Sequence, residues 1–249
     1  MEAIEYERMF RAEDRHWWYL GMQEITYAIL KRFIPPDKDL KILDAGCGTG
    51  QWLSSCQAKS GAAMGFDISP RALKYCRRRH LSDLAQASVV EIPFKSNHFD
   101  LLTSFDVLYE RSVKNDLGAM AEFFRVLRPG GLILLRLPAY NWLRGQHDIA
   151  IHTARRYNAA QVVRLLQDVG FRTRHTSYAN TILFPLAAAK RLLERIIPPD
   201  PNSSDLSMDA SRFNRLLKII LSSEALPAAH AGLPYGLSIL ALGQKPKNS

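Results

Sequence analysis

Asp44, Gly46, Gly48 and Gly50 fall at alternate positions in "KILDAGCGTGQW", Lys41–Trp52, directly after an apolar run. Glycines so spaced accept positive φ and carry no Cβ, so a ligand can lie against the backbone. A helix beginning just after Gly50 would offer that ligand its unpaired N–H groups. Loops that take a dinucleotide's pyrophosphate read GxGxxG over the helix start. Here the spacing is GxGxG, with an acid two residues ahead of the first glycine. An acid there suits a ligand carrying an ammonium better than one carrying phosphates.

Asp67 ends a second apolar run, "AMGFDIS", where an acid can take the two hydroxyls of a ribose. Adenosine ribose at Asp67 and a charged amino-acid tail near Asp44 together describe S-adenosylmethionine, whose product after methyl loss is S-adenosylhomocysteine.

These residues need a parallel α/β frame to hold them. Apolar strand-like runs alternate with helical patterns from Leu40 onward. "LKILDA", "AAMGFD", "ASVVE", "FDLLTSFD", "LILLRL", "FRTRHTSY" and "GLSILALGQ" read as seven strands. Helices are expected near 51–59, 70–80, 115–127 and 158–168, with "RPGG" as a turn. The first 35 residues read as one helix, stopped by Pro35-Pro36. Before the last strand the pattern gives a helix at 181–197, a loop at 198–205 and a helix near 210–222. In the second of these, Phe213, Leu216, Leu217, Ile220 and Leu221 follow a helical apolar stripe.

The chain has 249 residues, 47 % hydrophobic and 23 % charged, an ordinary globular composition. Three cysteines, Cys47, Cys56 and Cys76, give neither a disulfide framework nor a zinc pattern, which fits a reducing cytoplasm. The acid-rich N-terminus does not read as a signal peptide, and no transmembrane run is expected. The net charge of +9 could favour nucleic acid, anionic lipid or a phosphorylated substrate. A solvated basic surface explains it equally, and the basic residues form no nucleic-acid motif, so no nucleic acid partner is expected.

The ordered motifs "LDAGCGTG", "GFDIS", "EIPFKSNHFDLL", "FFRVLRPGGLILL" and "RRYNAAQVVRLLQDVGF" resemble those of the class I S-adenosylmethionine-dependent methyltransferases, in a bacterial, Methyltransf_11-like subgroup. "HWWYLG" and "HDIAIHTARRY" resemble relatives associated with cell-surface glycan or secondary-metabolite pathways. The resemblance implies a Rossmann-like, doubly wound seven-stranded sheet with helices on both faces. It divides the chain into an N-terminal helical lid (1–39), a cofactor-binding core (40–178), a helical insertion between the last two strands (179–234), and the last strand with the tail (235–249).

The resemblance also implies residue roles. Asp44, Ala45, Gly46, Cys47, Gly48 and Gly50 would wrap the methionine and ribose portion. Asp67 would hold the ribose hydroxyls and Ile68 would pack on adenine. Ser88 and Val89 fall where relatives often place an acid that reads the adenine amino group. Phe105 and Asp106 would sit beside the reacting sulfonium. Tyr109 and Glu110 stand where many relatives carry Glu-His, so a histidine base at that place is absent. Base candidates are His147, His152, His16 and Glu110, each of which could equally be a loop residue. Substrate candidates are Trp17, Trp18, Tyr19, Tyr109, Tyr140, Arg155, Arg156 and Tyr157. Arg155-Arg156-Tyr157 could bind an anion or cap the following helix. The acceptor expected is a small or lipid-linked molecule with apolar surface. The helices at 181–197 and 210–222 could cover it, touch a membrane or join two copies of the chain. A non-catalytic S-adenosylmethionine-binding protein would keep Asp44 and Asp67 but lack a pocket at the methyl.

Overall fold

The computed structural model describes residues 3–35, 39–60, 62–145, 148, 153–196 and 213–247. Seven strands form one sheet: β1 (Ile42–Ala45), β2 (Ala63–Asp67), β3 (Leu84–Gln86), β4 (Phe99–Phe105), β5 (Leu127–Pro138), β6 (Arg172–Ala179) and β7 (Ser238–Gln244). Their order is β3-β2-β1-β4-β5-β7-β6. Every pairing among β1 to β5 is parallel, and β7 runs antiparallel to both β5 and β6.

Strand side chains alternate between two apolar clusters, as the period of two requires. Leu43, Leu102, Ile133, Leu135, Ile239 and Ala241 face one side, where they meet α5 (Asp116–Val126) and α6 (Ala159–Asp168). Ile42, Leu101, Leu134, Leu240 and Leu242 face the other. That side is covered by α2 (Trp17–Phe33), α3 (Gln51–Ser60) and α4 (Pro70–Arg78). Strands covered on both faces need apolar residues at nearly every position, which explains the unbroken runs in the sequence. Met22, Ile25 and Ile29 of α2 are fully buried, and each contributes about 1.5–3 kcal/mol by leaving water.

Four details depart from the sequence expectation. The N-terminal segment is two helices, α1 (Ala3–Ala12) and α2. Between them the chain turns so that the Glu13 carboxylate meets Thr49, while His16 becomes the extended N-cap of α2 and accepts from the Trp18 N–H. The third strand is Leu84–Gln86, and the expected "ASVVE" is a tight turn. There the Ser88 hydroxyl accepts from Val90 N at 3.3 Å and its carbonyl from Glu91 N at 3.1 Å. "RPGG" is an irregular stretch inside β5, where pairing skips from Phe99↔Leu127 to Leu101↔Leu132 and Gly130 adopts φ +81.

Between β6 and β7 the described residues form α7 (Phe184–Ile196), α8 (Asn214–Ser223) and α9 (Ala225–His230). Residues 197–212, including the expected loop at 198–205, lie outside the described residues. The stripe on α8 is the fourth departure. Leu221 is buried beneath Gly21 of α2, but Phe213 and Leu216 are exposed together with Ile219. The face that packs is set by Asn214, whose Oδ1 accepts from Trp17 N at 2.8 Å and whose amide donates to Arg15 O at 2.7 Å. No described helix is long and apolar enough to cross a membrane.

Candidate active site

A cavity of about 510 Å³ opens at the C-terminal ends of β1, β2, β4 and β5. That is the end at which open parallel sheets bind ligands, and the volume is typical of small-molecule sites. α1 and α2 line it with Tyr6, Met9, Trp17, Trp18 and Tyr19.

One end is built by the glycine loop. Gly46, Gly48 and Gly50 all have positive φ, at +78, +55 and +87. A Cβ on Gly46 would stand 2.3 Å from Val107 Cγ2, and one on Gly50 would stand 2.7 Å from Leu81 Cδ1. A side chain at Gly46 or Gly50 would therefore be strained by both sterics and backbone conformation. Asp67 is clamped beneath it: Gly48 N donates to Oδ2 at 3.0 Å and Ser69 N to Oδ1 at 2.8 Å. Each oxygen keeps a second lone pair. Burial raises the Asp67 carboxyl against those two hydrogen bonds.

Asp44 is 3 % exposed and has no ion pair among the described residues. The Thr103 hydroxyl donates to its Oδ1 at 2.8 Å, and the Trp52 indole N–H donates to Thr103 at 3.0 Å. Burial pushes the Asp44 carboxyl up to about 7, opposed by the Thr103 bond. A third acid comes from the turn after α1. Glu13 takes the Thr49 hydroxyl and Arg79 Nη2, the latter at 3.2 Å, and burial pushes it up to about 7. Three buried acids around one glycine loop favour a cationic ligand, which relieves their mutual repulsion. That donor set fits the ammonium and ribose of S-adenosylmethionine. Anionic pyrophosphate would meet carboxylates instead of N–H groups alone.

Ile68, half exposed, and Ala87, Ser88 and Val89 line the neighbouring wall. Ala45 and Gly50 support the loop from outside the cavity lining: Ala45 O accepts from the Ser104 hydroxyl at 3.1 Å, and Gly50 N donates to Cys47 O at 3.0 Å. Cys47, Cys56 and Cys76 are all free and buried.

At the end of β4, Phe105 packs against Trp52 at 5.3 Å. Asp106 adopts φ +58, and its Oδ2 accepts from Arg136 Nε at 2.7 Å. The Arg136 guanidinium also lies over the rings of Trp18 (4.9 Å) and Phe105 (4.8 Å). Glu110 lines the cavity, accepts from the Ser112 hydroxyl at 3.3 Å and is raised by burial. His16 also lines it, and burial lowers its pKa, so the imidazole is neutral at pH 7. Tyr109 reaches the cavity with a phenol raised well above its ordinary value by burial.

The structure redistributes the remaining expected residues. His147 and His152 lie outside the described residues. Arg155 and Tyr157, open in the sequence to binding an anion or capping the following helix, do not line the cavity. Arg155 donates to Leu108 O at 2.8 Å, to Val113 O at 2.7 Å and to Asp116, so its charge pins the loop after β4 to α5. The Tyr157 hydroxyl joins the same knot, donating to Asp116 Oδ2 at 3.0 Å. Arg156 does line the cavity, held by Asp148 through Nε at 2.9 Å and Nη2 at 3.0 Å. Tyr140 is also displaced from the cavity lining. Its ring stacks on Tyr178 at 5.4 Å and meets Phe184 of α7 at 5.8 Å. Sequence reading passed over Glu13, Arg136 and Asn180, although an arginine inside the apolar run "LILLRLP" was a visible signal.

Comparison with known proteins agrees with this geometry. Residues 43–135 match the Methyltransf_11 family, described as a methyltransferase domain. A Staphylococcus aureus demethylmenaquinone methyltransferase is 36 % identical over 104 residues, covering 39 % of this chain and 42 % of that protein. A Mycolicibacterium smegmatis protein named "Probable S-adenosylmethionine-dependent methyltransferase" is 27 % identical over 169 residues, covering 66 % of this chain and 63 % of that one. The chain thus spans under two thirds of the length of either relative. Among solved structures, a Thermotoga maritima S-adenosylmethionine-dependent methyltransferase superimposes with TM-score 0.61 at 15 % identity, covering 97 % and 94 % of the two chains. A Haemonchus contortus phosphoethanolamine N-methyltransferase in complex with S-adenosylmethionine gives 0.58 at 20 % identity, over 90 % of this chain and 52 % of that one. At such identities these structures speak to the fold alone, and it is the Rossmann-like methyltransferase fold.

Proposed function

We propose that this chain, whose residues 43–135 form a methyltransferase domain of the class I S-adenosylmethionine-dependent kind, transfers a methyl group to a small or lipid-linked acceptor. The observation that carries the reading is the positive-φ glycine loop set between the buried acids Asp44 and Asp67 at one end of the cavity. S-adenosylmethionine supplies, when bound, a methyl already activated on a sulfonium.

The chain's own residues then hold, orient and exclude water. Asp44 takes the ammonium, its carboxylate oriented by Thr103. Asp67 takes the ribose hydroxyls with the lone pairs that Gly48 N and Ser69 N leave over. Ile68 and Val89 pack on the adenine, and Ser88 lies at its edge. Phe105 and Asp106 set the border between cofactor and acceptor. Holding two reactants in line is worth roughly 7–11 kcal/mol of barrier. Where the acceptor must lose a proton, His16 and Glu110 are the two base candidates from the sequence that line the cavity, a contribution of roughly 10²–10⁴-fold. His147 and His152 remain candidates from the sequence.

α1 and α2 serve as the lid over the cofactor, and α7 as the lid over the acceptor, since Ala187, Lys190 and Arg191 of α7 line the cavity. Contact with a lipid surface that carries the acceptor is supported by Leu186 and Leu193 of α7 and by Phe213, Leu216 and Ile219 beside or on α8, all of them exposed and outside the cavity lining. Basic, apolar helices of this kind can rest on an anionic lipid surface. Calorimetric titration with S-adenosylhomocysteine tests the cofactor assignment. Binding by wild type, weakened at least tenfold in Asp44→Asn and in Asp67→Ala, is expected; equal affinity in all three would refute it.

A further inference from the structure

Resting on that cofactor reading, we infer that the acceptor is an aromatic molecule carrying an anionic oxygen at one end and a neutral polar group at the other, received by Arg136 and Asn180 respectively. Arg136 is a charged residue near the C-terminal end of β5, interrupting the apolar run that begins at Leu132, and it lines the cavity. Only its Nε is engaged, by Asp106 at 2.7 Å; its two Nη groups have no hydrogen-bond partner among the described residues. The guanidinium carbon lies over the rings of both Trp18 and Phe105, at 4.9 and 4.8 Å. The Asp106 bond and the two ring contacts fix the guanidinium and leave its Nη donors for a ligand in the cavity. Such an edge binds a carboxylate or phenolate-type oxygen through two parallel N–H bonds.

Asn180 supplies an independent observation. It follows β6, adopts φ +61, is 2 % exposed and lines the same cavity. Its Oδ1 is buried with no hydrogen-bond partner among the described residues. A buried amide left unpaired is costly, and a ligand hydroxyl or N–H relieves that cost. Asn180 follows Ala179, which pairs with Ser238, and Ser238 pairs with Pro138 two residues beyond Arg136. Arg136 and Asn180 therefore stand two strands apart and three residues apart along the sheet, roughly 14 Å between their backbones at about 4.8 Å per strand and 3.3 Å per residue. Pro138, Leu143, Leu237 and Trp18 line the cavity with them. The long Arg136 side chain narrows that gap, and a flat apolar body with a polar group at each end can bridge what is left.

The probe is 6-hydroxy-2-naphthoate, titrated calorimetrically into protein saturated with S-adenosylhomocysteine. The neutral 6-hydroxy-2-naphthamide and the hydroxyl-free 2-naphthoate are run alongside. The naphthoate should bind at least tenfold tighter than the naphthamide. Arg136→Gln should abolish that preference. Arg136→Lys, which keeps the charge and folds even if the glutamine variant does not, should retain part of it. Asn180→Ala should weaken 6-hydroxy-2-naphthoate about five- to tenfold and leave 2-naphthoate unchanged. Equal binding of acid and amide, an unchanged preference in Arg136→Gln, or no naphthoate binding by wild type would each overturn the inference. So would a larger loss of S-adenosylhomocysteine than of naphthoate in Arg136→Lys, which would assign the guanidinium to the cofactor. Failure of wild type to bind S-adenosylhomocysteine at all would refute the cofactor reading itself.

Discussion

The Thr103 hydroxyl donates to Asp44 Oδ1 at 2.8 Å, and nothing cationic is bonded to that carboxylate among the described residues. The acid is thus positioned but left electrostatically unsatisfied, with its pKa raised to about 7 by burial. Sites that await a cation carry this signature, and it has consequences for the ligand-free protein.

The first concerns pH. Asp44 and Glu13 are both raised to about 7 in the folded chain, against roughly 4 when unfolded. The folded state then holds more protons than the unfolded state between those values, so stability falls as pH rises from about 4 to 7. His16, lowered by burial, works in the opposite sense below its ordinary value, and the two carboxyls outweigh it. Thermal unfolding of ligand-free protein should show a midpoint that drops between pH 5 and 7.5. Asp44→Asn and Glu13→Gln should each flatten the slope. A rising midpoint, or an unchanged slope in both variants, would count against the buried-acid account.

A second prediction concerns how α1 is held. Glu13 joins Thr49 and Arg79, and Arg79 also pairs with Asp14 and donates to Thr49 O at 3.0 Å. Removing Arg79 leaves Glu13 buried without its cation, a loss of about 1–3 kcal/mol. Arg79→Ala should therefore speed proteolytic cleavage within residues 1–16 and weaken S-adenosylhomocysteine roughly tenfold. Unchanged cleavage and unchanged affinity would show that α1 does not cover the cofactor.

The glycine loop gives a third. Gly46→Ala places a methyl 2.3 Å from Val107 Cγ2 at φ +78. Overpacking and backbone strain of this kind cost about 1–3 kcal/mol each, and urea unfolding should report a loss in that range. Val107→Ala in the same background should restore the steric part only. Full restoration would mean that φ carries no strain.

The exposed apolar residues give a fourth. Leu216 and Ile219 are more than half exposed on α8, so replacing both by serine should change stability by less than about 0.5 kcal/mol per site. If α8 rests on lipid, the double variant should lose sedimentation with anionic vesicles. Equal sedimentation of variant and wild type would rule that surface out.

Much of the frame was legible because burial on both faces writes itself into the sequence as unbroken apolar runs; β1, β2, β4, β5 and β7 are of that kind. Asp44, Asp67 and the three glycines were legible because backbone approach and charge need particular residue types at particular spacings. The break at Glu13–His16 was not, since it depends on a partner, Thr49, distant in sequence and carries no Pro or Gly. β3 was missed because three half-covered residues make no pattern. The α8 stripe splits, with Leu217, Ile220 and Leu221 turned inward and Phe213 and Leu216 outward, because Asn214, a polar contact to α2, decides which face packs. Arg155 and Tyr157 looked like ligand groups because sequence cannot show that Asp116 and two carbonyls already occupy them.

The most direct test of the central claim is thermal unfolding of wild type and Asp67→Ala with S-adenosylhomocysteine, and with nicotinamide dinucleotide as control. A ligand at about 100 times its dissociation constant stabilises by roughly 2.7 kcal/mol, which at this chain length is a rise of about 5–10 °C. The account predicts that rise with S-adenosylhomocysteine alone, and its loss in Asp67→Ala. A rise with the dinucleotide instead, or none with either, would contradict it.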